Sequence, residues 1–389
     1  MADGSDTAPQ DEKLRLAGQL FLLGCSDAAC PNKAEIRAGV LASIKENKMA
    51  PFFAEVQGQL LPRDDALVTA LRAQNAERVA ELDAQFADAV ENAGETEERE
   101  AKLAKAQYLD SIGERAAALA AYDEADRAGK GAPVAQRIES ALAAVRIGLA
   151  YMDRPLVESG VERAKRMVEE GGDWEKRNRL KVYEATALMA RRQFKPAATL
   201  FLDSIATFTT YELYDYKTFI LYTVLCGVLT LDRSTLKKRV VNSPEVLAVV
   251  DEIPHLHQLL SAYYHCKYSE FFAAFAEIVE QLKVDRYLCP HVQFFEREMC
   301  LVAYSQFLQS YKTVTLQSMA ASFGVGVAFL DTELARFIAL GRLNAKIDKV
   351  TGIVETNRPD SKNALYQDAI KQGDTLLNRV QKLSRIVNV

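Results

Sequence analysis

Apolar residues along most of this chain recur every three or four positions, and proline and glycine, 11 and 19 in 389 residues, seldom interrupt them. That spacing keeps side chains on one stripe of an α-helix, so the chain is expected to be mostly helical. Within residues 70–100, Val79, Leu82, Phe86, Ala89 and Ala93 follow 3-4-3-4 spacing, which predicts one long helix with a narrow apolar seam. Nine acids against two arginines over 77–100 give it a solvated acidic face. The apolar run at 219–231 falls short of the roughly 20 residues a membrane span needs, and reads as a buried helix.

A repeat follows the acidic helix. Leu109, Ala118, Tyr122 and Ala125 are offset by 9, 4 and 3; Leu188, Ala197, Phe201 and Ser204 repeat those offsets, as do Gly148, Val157, Val161 and Ala164 more weakly between them. The period of 39 to 40 residues exceeds the roughly 34 of tetratricopeptide helix pairs, whose small-residue packing it resembles. Stacked pairs bury a continuous core and leave an extended surface, which reads as an interaction scaffold. Gly171 and Gly172 end one helix and Asp173 is placed to cap the next, while Ser243 and Pro290 mark further starts. Helical hairpins are expected to about Ser310.

Beyond that point the pattern changes. Thr315 can cap a short helix ending near Phe323, Gly324 supplies a permissive turn, and Val327, Leu330, Leu334, Phe337 and Ile338 stripe a second helix. Leu343, Ala345 and Ile347 then alternate with Asn344, Lys346 and Asp348, and Thr351 with Gly352 can turn the chain into a hairpin. Helix, turn, helix and hairpin make a winged helix. Asn344, Lys346 and Asp348 are its candidate interface residues, since a wing strand can lend backbone groups to a neighbouring sheet. Proline at Lys346 should then harm assembly more than alanine. After Pro359 a last helix starts near Ser361, with Leu365, Ala369, Leu376, Val380, Leu383 and Val387 in a heptad-like seam broken by Gln372. Leu365, Leu376, Val380 and Leu383 are candidate interface residues there.

Charge narrows what the winged helix can do. Helix 327–340 carries Arg336 against Asp331 and Glu333, and 311–358 holds six basic and four acidic residues in a chain of net charge −5. A groove-reading helix needs cations for phosphates and guanines, so a nucleic-acid-binding winged helix is a remote alternative. His255 and His257 lack the downstream serine and aspartate of a zinc isopeptidase, and Cys289, His291 and Cys300 lack a fourth ligand at usual spacing. No phosphate-binding loop or nucleophile elbow is present. No enzyme, cofactor or metal is expected. The polar start of the chain does not read as a secretory signal, and its six scattered cysteines are expected to be reduced and buried.

Helical repeats running into a winged helix resemble the PCI-domain family, named for the proteasome lid, the COP9 signalosome and translation initiation factor three. "EEGGDWEKRNRLKVYEA", "LFLDSIATFTTYELYDYKTFILYTVL", "SFGVGVAFLDTELARFIALGRLNAKIDKVTGIVETNRPD" and "IKQGDTLLNRVQKLSR" carry the likeness, from about Met49 to the C-terminus, toward its proteasome-lid members. The resemblance implies a mostly α chain: an N-terminal segment (1–98), tetratricopeptide-like repeats (99–310, the helical part of the PCI domain from about 190), a winged helix (311–358) and a C-terminal bundle helix (359–389). It also implies a non-catalytic, hetero-oligomeric scaffold subunit in cytoplasm and nucleus. Its partners would be other PCI subunits of the lid, the lid metalloisopeptidase subunit and the base ATPase ring, with no nucleic acid and no membrane. The alternative within the family is the homologous signalosome subunit.

Overall fold

The computed structural model describes residues 10–26, 30–92, 94–127, 133–357 and 361–387. Ala93, Pro359, the side chain of Val387 and the first nine residues lie outside that description. The chain forms two units, Met1–Tyr264 with Ala273–Glu296, and His265–Phe272 with Arg297–Val389.

In the first unit, α1 (Glu12–Gly24), α2 (Lys33–Glu46) and α3 (Ala50–Val56) close a core with the start of α4 (Asp65–Asn92), in which Leu16, Val40, Ile44, Met49 and Phe53 are fully shielded. Val68, Leu71, Asn75, Val79 and Leu82 extend the seam of α4 toward α5 (Glu95–Ser111). The single helix expected over 70–100 is therefore two helices. Gly94, in extended backbone, donates its N–H to the Glu97 carboxylate at 3.2 Å and begins α5 there. Folding back lets the seam of α4 pack against α5, where Leu103, Ala106 and Leu109 are buried. The segment break expected at residue 98 consequently falls inside α5.

The repeat corresponds to helix pairs: α5 with α6 (Arg115–Arg127), α7 (Val134–Tyr151) with α8 (Arg154–Gly171), and α9 (Trp174–Ala190) with α10 (Phe194–Ser204). Leu109, Gly148 and Leu188 lie near the end of the first helix of each pair and the other repeat positions lie on the second; all are buried except half-buried Leu188. The backbone repeats as well. Glu114, Asp153 and Gln193 donate their N–H groups to the carbonyls of Leu109, Gly148 and Leu188 at 3.0, 2.8 and 2.9 Å. One residue earlier, Gly113, Met152 and Arg192 are left-handed, with φ of 82, 56 and 63°. These are Schellman-type closures, and the bond they complete satisfies a carbonyl that the helix end would orphan. Close approach needs small residues: a Cβ on Gly148 would stand 2.8 Å from Val157 Cγ2, and one on Gly160 2.7 Å from Val145 Cγ2.

An ion network ties the start of α1 to these pairs. Lys13, almost fully buried, pairs with buried Asp110 of α5. Arg146 of α7 lies 3.3 Å from Asp11 and 3.4 Å from Glu139, and Arg179 of α9 holds Glu139 through two bonds of 2.9 and 3.2 Å. Tyr183 donates to Glu212 at 2.7 Å. Burial alone would raise the Glu139 carboxyl, but Arg179, Arg146 and Lys176 hold it down at about 2. Burial raises Asp110 despite Lys13.

The first unit continues through α11 (Tyr216–Thr230), buried from Phe219 to Val228 apart from half-buried Leu221, as its apolar run suggested, and α12 (Arg233–Leu236), which runs into a π-helical stretch, Lys237–Val241. Then come α13 (Pro244–Val250) and α14 (Leu256–Tyr264); residues of α15 (Tyr268–Val284) and α16 (Val292–Leu308) are divided between the units. Asp173 stands at the N-cap of α9, but its side chain accepts no capping bond.

The second unit contains β1 (Thr313–Thr315), α17 (Leu316–Phe323), α18 (Val327–Ala339), β2 (Ala345–Asp348), β3 (Ile353–Thr356) and α19 (Ser361–Val387). The sheet is antiparallel in the order β1-β3-β2. Its core gathers on Phe323, whose ring centroid lies 4.7 Å from Tyr268, 5.1 Å from Tyr304 and 5.3 Å from Phe307.

Candidate assembly surfaces

Three features of the second unit face outward: the wing, the solvent side of α18, and α19. Thr315 Oγ1 accepts from the Ser318 N–H at 3.2 Å and starts α17; Gly324, at φ 68°, ends it, with the Val325 N–H on the Ala320 carbonyl at 3.1 Å. The expected corner is thus in place, and it sets α18 beside the sheet.

In the wing, Asn357 donates its N–H to the Asn344 carbonyl at 3.0 Å. This bond continues the β2–β3 register, so hydrogen-bonded pairs alternate through Lys346–Glu355 and Asp348–Ile353. The Lys346 backbone is therefore engaged inside the sheet. The outer edge of β2 belongs to Ala345 and Ile347. Proline at Lys346, expected to probe an external contact, would instead break the sheet's own ladder. On its other side, β3 is taken up by β1, with Thr356 N–H on the Lys312 carbonyl at 2.9 Å and Leu316 N–H on that of Gly352 at 2.8 Å.

Asn344, Lys346 and Asp348 are all exposed. Asp348 also holds the hairpin turn together. Its carboxylate accepts from Thr351 Oγ1 at 2.6 Å and the Val350 N–H at 2.9 Å, and these bonds lower its carboxyl below the ordinary range. The turn leaves Val350 almost wholly exposed at its tip.

The face of α18 that a DNA-reading helix would offer carries Ala328, Phe329, Thr332, Arg336, Ala339 and Leu340. Arg336 is 2.9 Å from Glu333 Oε1, so the cation on that face already has a counter-charge. Phe329 and Leu340 are more than half exposed. Such a face suits a protein surface better than a phosphate backbone.

Every described side chain of the last helix from 365 to 386 is exposed. Leu365, Leu376, Val380 and Leu383 are 71%, 64%, 54% and 61% exposed. Tyr366, Ile370 and Leu377, absent from the heptad reading, widen the stripe. Charged Lys371, Asp374, Lys382 and Arg385 occupy the other side, while Arg379 falls at the edge of the stripe. At 3.6 residues per turn a stripe this wide covers more than a two-helix seam.

Two of the residues weighed for metal chemistry have partners of their own. His291 accepts from Arg192 Nε on Nδ1 at 2.9 Å, and its Nε2 meets the Ala190 carbonyl at 2.8 Å. His257 lies 2.5 Å from Asp251. Cys30 and Cys226 are buried, whereas Cys25, Cys266, Cys289 and Cys300 are only half-buried, so the expectation of uniformly buried thiols fails.

Three family models match along the chain: 26S proteasome subunit RPN7 over residues 64–239, the PCI domain over 275–358, and the 26S proteasome regulatory subunit RPN7/PSMD6 C-terminal helix over 366–387. The 26S proteasome non-ATPase regulatory subunit 6 of Oryza sativa is 50% identical over 381 residues, covering 98% of this chain and 97% of its own length. The chain belongs to this family. Its Arabidopsis thaliana homologue is 49% identical over 388 residues, with both chains covered in full, and the 26S proteasome regulatory subunit RPN7 of Saccharomyces cerevisiae is 36% identical over 400 residues, covering 95% of this chain and 92% of its own. The first match begins at the foot of α4 and runs through the helix pairs; the second takes in the winged helix. The third coincides with the exposed helix α19. These relatives are named as proteasome subunits over nearly their whole length, which sets the signalosome alternative aside. Family members are regulatory and non-ATPase by name. Among the described residues no helix is long and apolar enough to cross a membrane.

Proposed function

We propose that this chain is a non-catalytic scaffold subunit of the 26S proteasome regulatory-particle lid, supporting ubiquitin-dependent degradation by holding other subunits in place. The observation that carries this reading is α19, on which eight large apolar side chains between Leu365 and Ile386 remain exposed. An isolated helix of this length is marginal in water, and burial against partner helices is what makes it stable. The outer edge of β2 offers a second contact, to the sheet of a neighbouring PCI subunit. The helix pairs supply the extended surface on which further contacts are arranged, among them those to the lid metalloisopeptidase subunit and the base ATPase ring. The assembly is a hetero-oligomer of cytoplasm and nucleus.

Affinity purification of the tagged full-length chain tests this. Near-stoichiometric recovery of lid subunits together with ATPase-ring subunits is expected; recovery of signalosome subunits without the ATPase ring overturns it. Hydrolysis of a ubiquitin conjugate by the purified single chain would contradict the non-catalytic part alone.

A further inference from the structure

The first unit contains a cavity of about 970 Å³ that neither the assembly surfaces nor the repeats explain. α1 and α3 form one wall, the end of α7 another, and the segment from Glu280 to Cys289 a third, and the space is open to solvent. Leu20, Phe21, Phe52, Val56 and Tyr151 make the lining mostly apolar. The Tyr151 hydroxyl is already engaged, donating to the Gly113 carbonyl at 3.2 Å, so its ring faces this space as an apolar wall.

Arg286 also lines the cavity. It donates from Nη2 to the Ala150 carbonyl at 2.5 Å and stacks 5.9 Å from the Tyr287 ring centroid. No carboxylate forms an ion pair with it among the described residues, although the neighbouring Asp285 acts on it electrostatically. Asp285 accepts from the N–H groups of Tyr287 and Leu288, each at 2.8 Å, and from the Tyr222 hydroxyl at 2.5 Å. Glu280 is held by Lys283 at 2.5 Å, and Glu55 is exposed to solvent. Burial accordingly lowers the affinity of Arg286 for its proton. A partly buried guanidinium whose neighbouring carboxylate, Asp285, is committed to other donors is incompletely compensated, which is costly, and Arg is the side chain whose fork matches a carboxylate. An occupant that brings one relieves that cost.

We propose that this cavity binds a monocarboxylate with an apolar body, the carboxylate on Arg286 and the hydrocarbon against Leu20, Phe21, Phe52 and Val56. Two sources share that chemistry, a medium-chain fatty acid and the apolar C-terminal residue of a polypeptide. The size lies in the range of small-molecule sites.

Calorimetric titration of the full-length chain tests the assignment with two pairs of probes: decanoate against decanol, and a peptide ending in Leu-Phe with a free carboxylate against its amide. The acid of at least one pair is expected to bind about tenfold or more tightly than its neutral partner, the lower end for one charge-assisted contact. The pair that shows the preference identifies the source. Arg286→Gln, which retains a donor for the Ala150 carbonyl, should abolish the preference while leaving the helical signal intact. Gly24 lines the cavity, and a Cβ added there would meet nothing within 4 Å; Gly24→Phe should therefore fill the space and weaken acid and neutral probe alike. Equal binding of acid and neutral probe in both pairs, a preference that survives Arg286→Gln, or unchanged binding by Gly24→Phe would each overturn the proposal.

Discussion

Replacing Leu376 and Leu383 together by aspartate separates assembly from folding. Both leucines are exposed by 64% and 61%, so the chain by itself gains little from them. Fully burying a leucine is worth roughly 1.5–3 kcal/mol. The exposed share of the pair therefore leaves about 2–4 kcal/mol for partner helices to supply, a factor of roughly 30 to 1000 in an association constant. Two carboxylates desolvated without counter-charges add to the loss. In the isolated chain only the helix propensity changes, by about 0.5 kcal/mol at each position. The assay is twofold: quantitative recovery of lid subunits with the tagged variant, and thermal unfolding of the purified chain followed by circular dichroism. Recovery should fall at least tenfold while the melting transition stays in place. Wild-type recovery would refute the reasoning, and a collapsed transition in the isolated variant would show that the stripe is covered by the chain's own repeats.

Lys13→Met leaves Asp110 buried without its partner and should cost roughly 3–5 kcal/mol in denaturant titration; Lys13→Met with Asp110→Leu should recover most of it, and an unchanged single variant would refute a structural role for the pair. Glu139, held at about 2 against an ordinary 4.5, contributes stability that is present above pH 4.5 and lost as pH falls toward 2. With 37% of its side chain exposed, that contribution is discounted to about 1–2 kcal/mol, and Glu139→Gln should flatten the acid limb of stability against pH. Ile347→Pro should leave the purified full-length chain folded but reduce incorporation, since its N–H lies on the outer edge of β2, whereas Lys346→Pro should disturb the fold; equal folding of both would contradict the register. Gly148→Ala should lower the melting temperature by several degrees, and Val157→Ala on top of it should restore part of the loss, because the added methyl meets Val157 at 2.8 Å.

Periodicity made the helix pairs legible because their packing is local: the matching buried positions stand nine to sixteen residues after Leu109, Gly148 and Leu188, on the partner helix of the same hairpin. The offsets 9, 4 and 3 are the imprint of that geometry on the sequence. Left-handed Met152 and Arg192 were not legible, since neither residue type favours positive φ and only alignment with Gly113 through the folded backbone shows what they do. The break at Gly94 was missed for a related reason. An apolar seam continues across it, and only the antiparallel return of α5 says that the chain turns.

Along the chain alone, the alternation from Leu343 to Asp348, the glycine at 324 and the apolar stripe of the tail already determined a winged helix followed by a helix needing company, because each depends on neighbours within a few residues. Tertiary structure decided what depends on distant partners. It engaged the backbone of Lys346 inside the sheet and left Ile347 at the edge, a choice of register that hydrophobic alternation cannot make. It drew Asp11 and Lys13 onto Asp110, Arg146 and Glu212, up to some 200 positions away, where their charges became buried contacts. It also set Arg286 at the wall of a largely apolar cavity, its guanidinium on the Ala150 carbonyl. Charge in a sequence is a count; whether it is solvated, paired or stranded is set by what the fold brings within a few ångströms, where desolvation and Coulomb energy are decided.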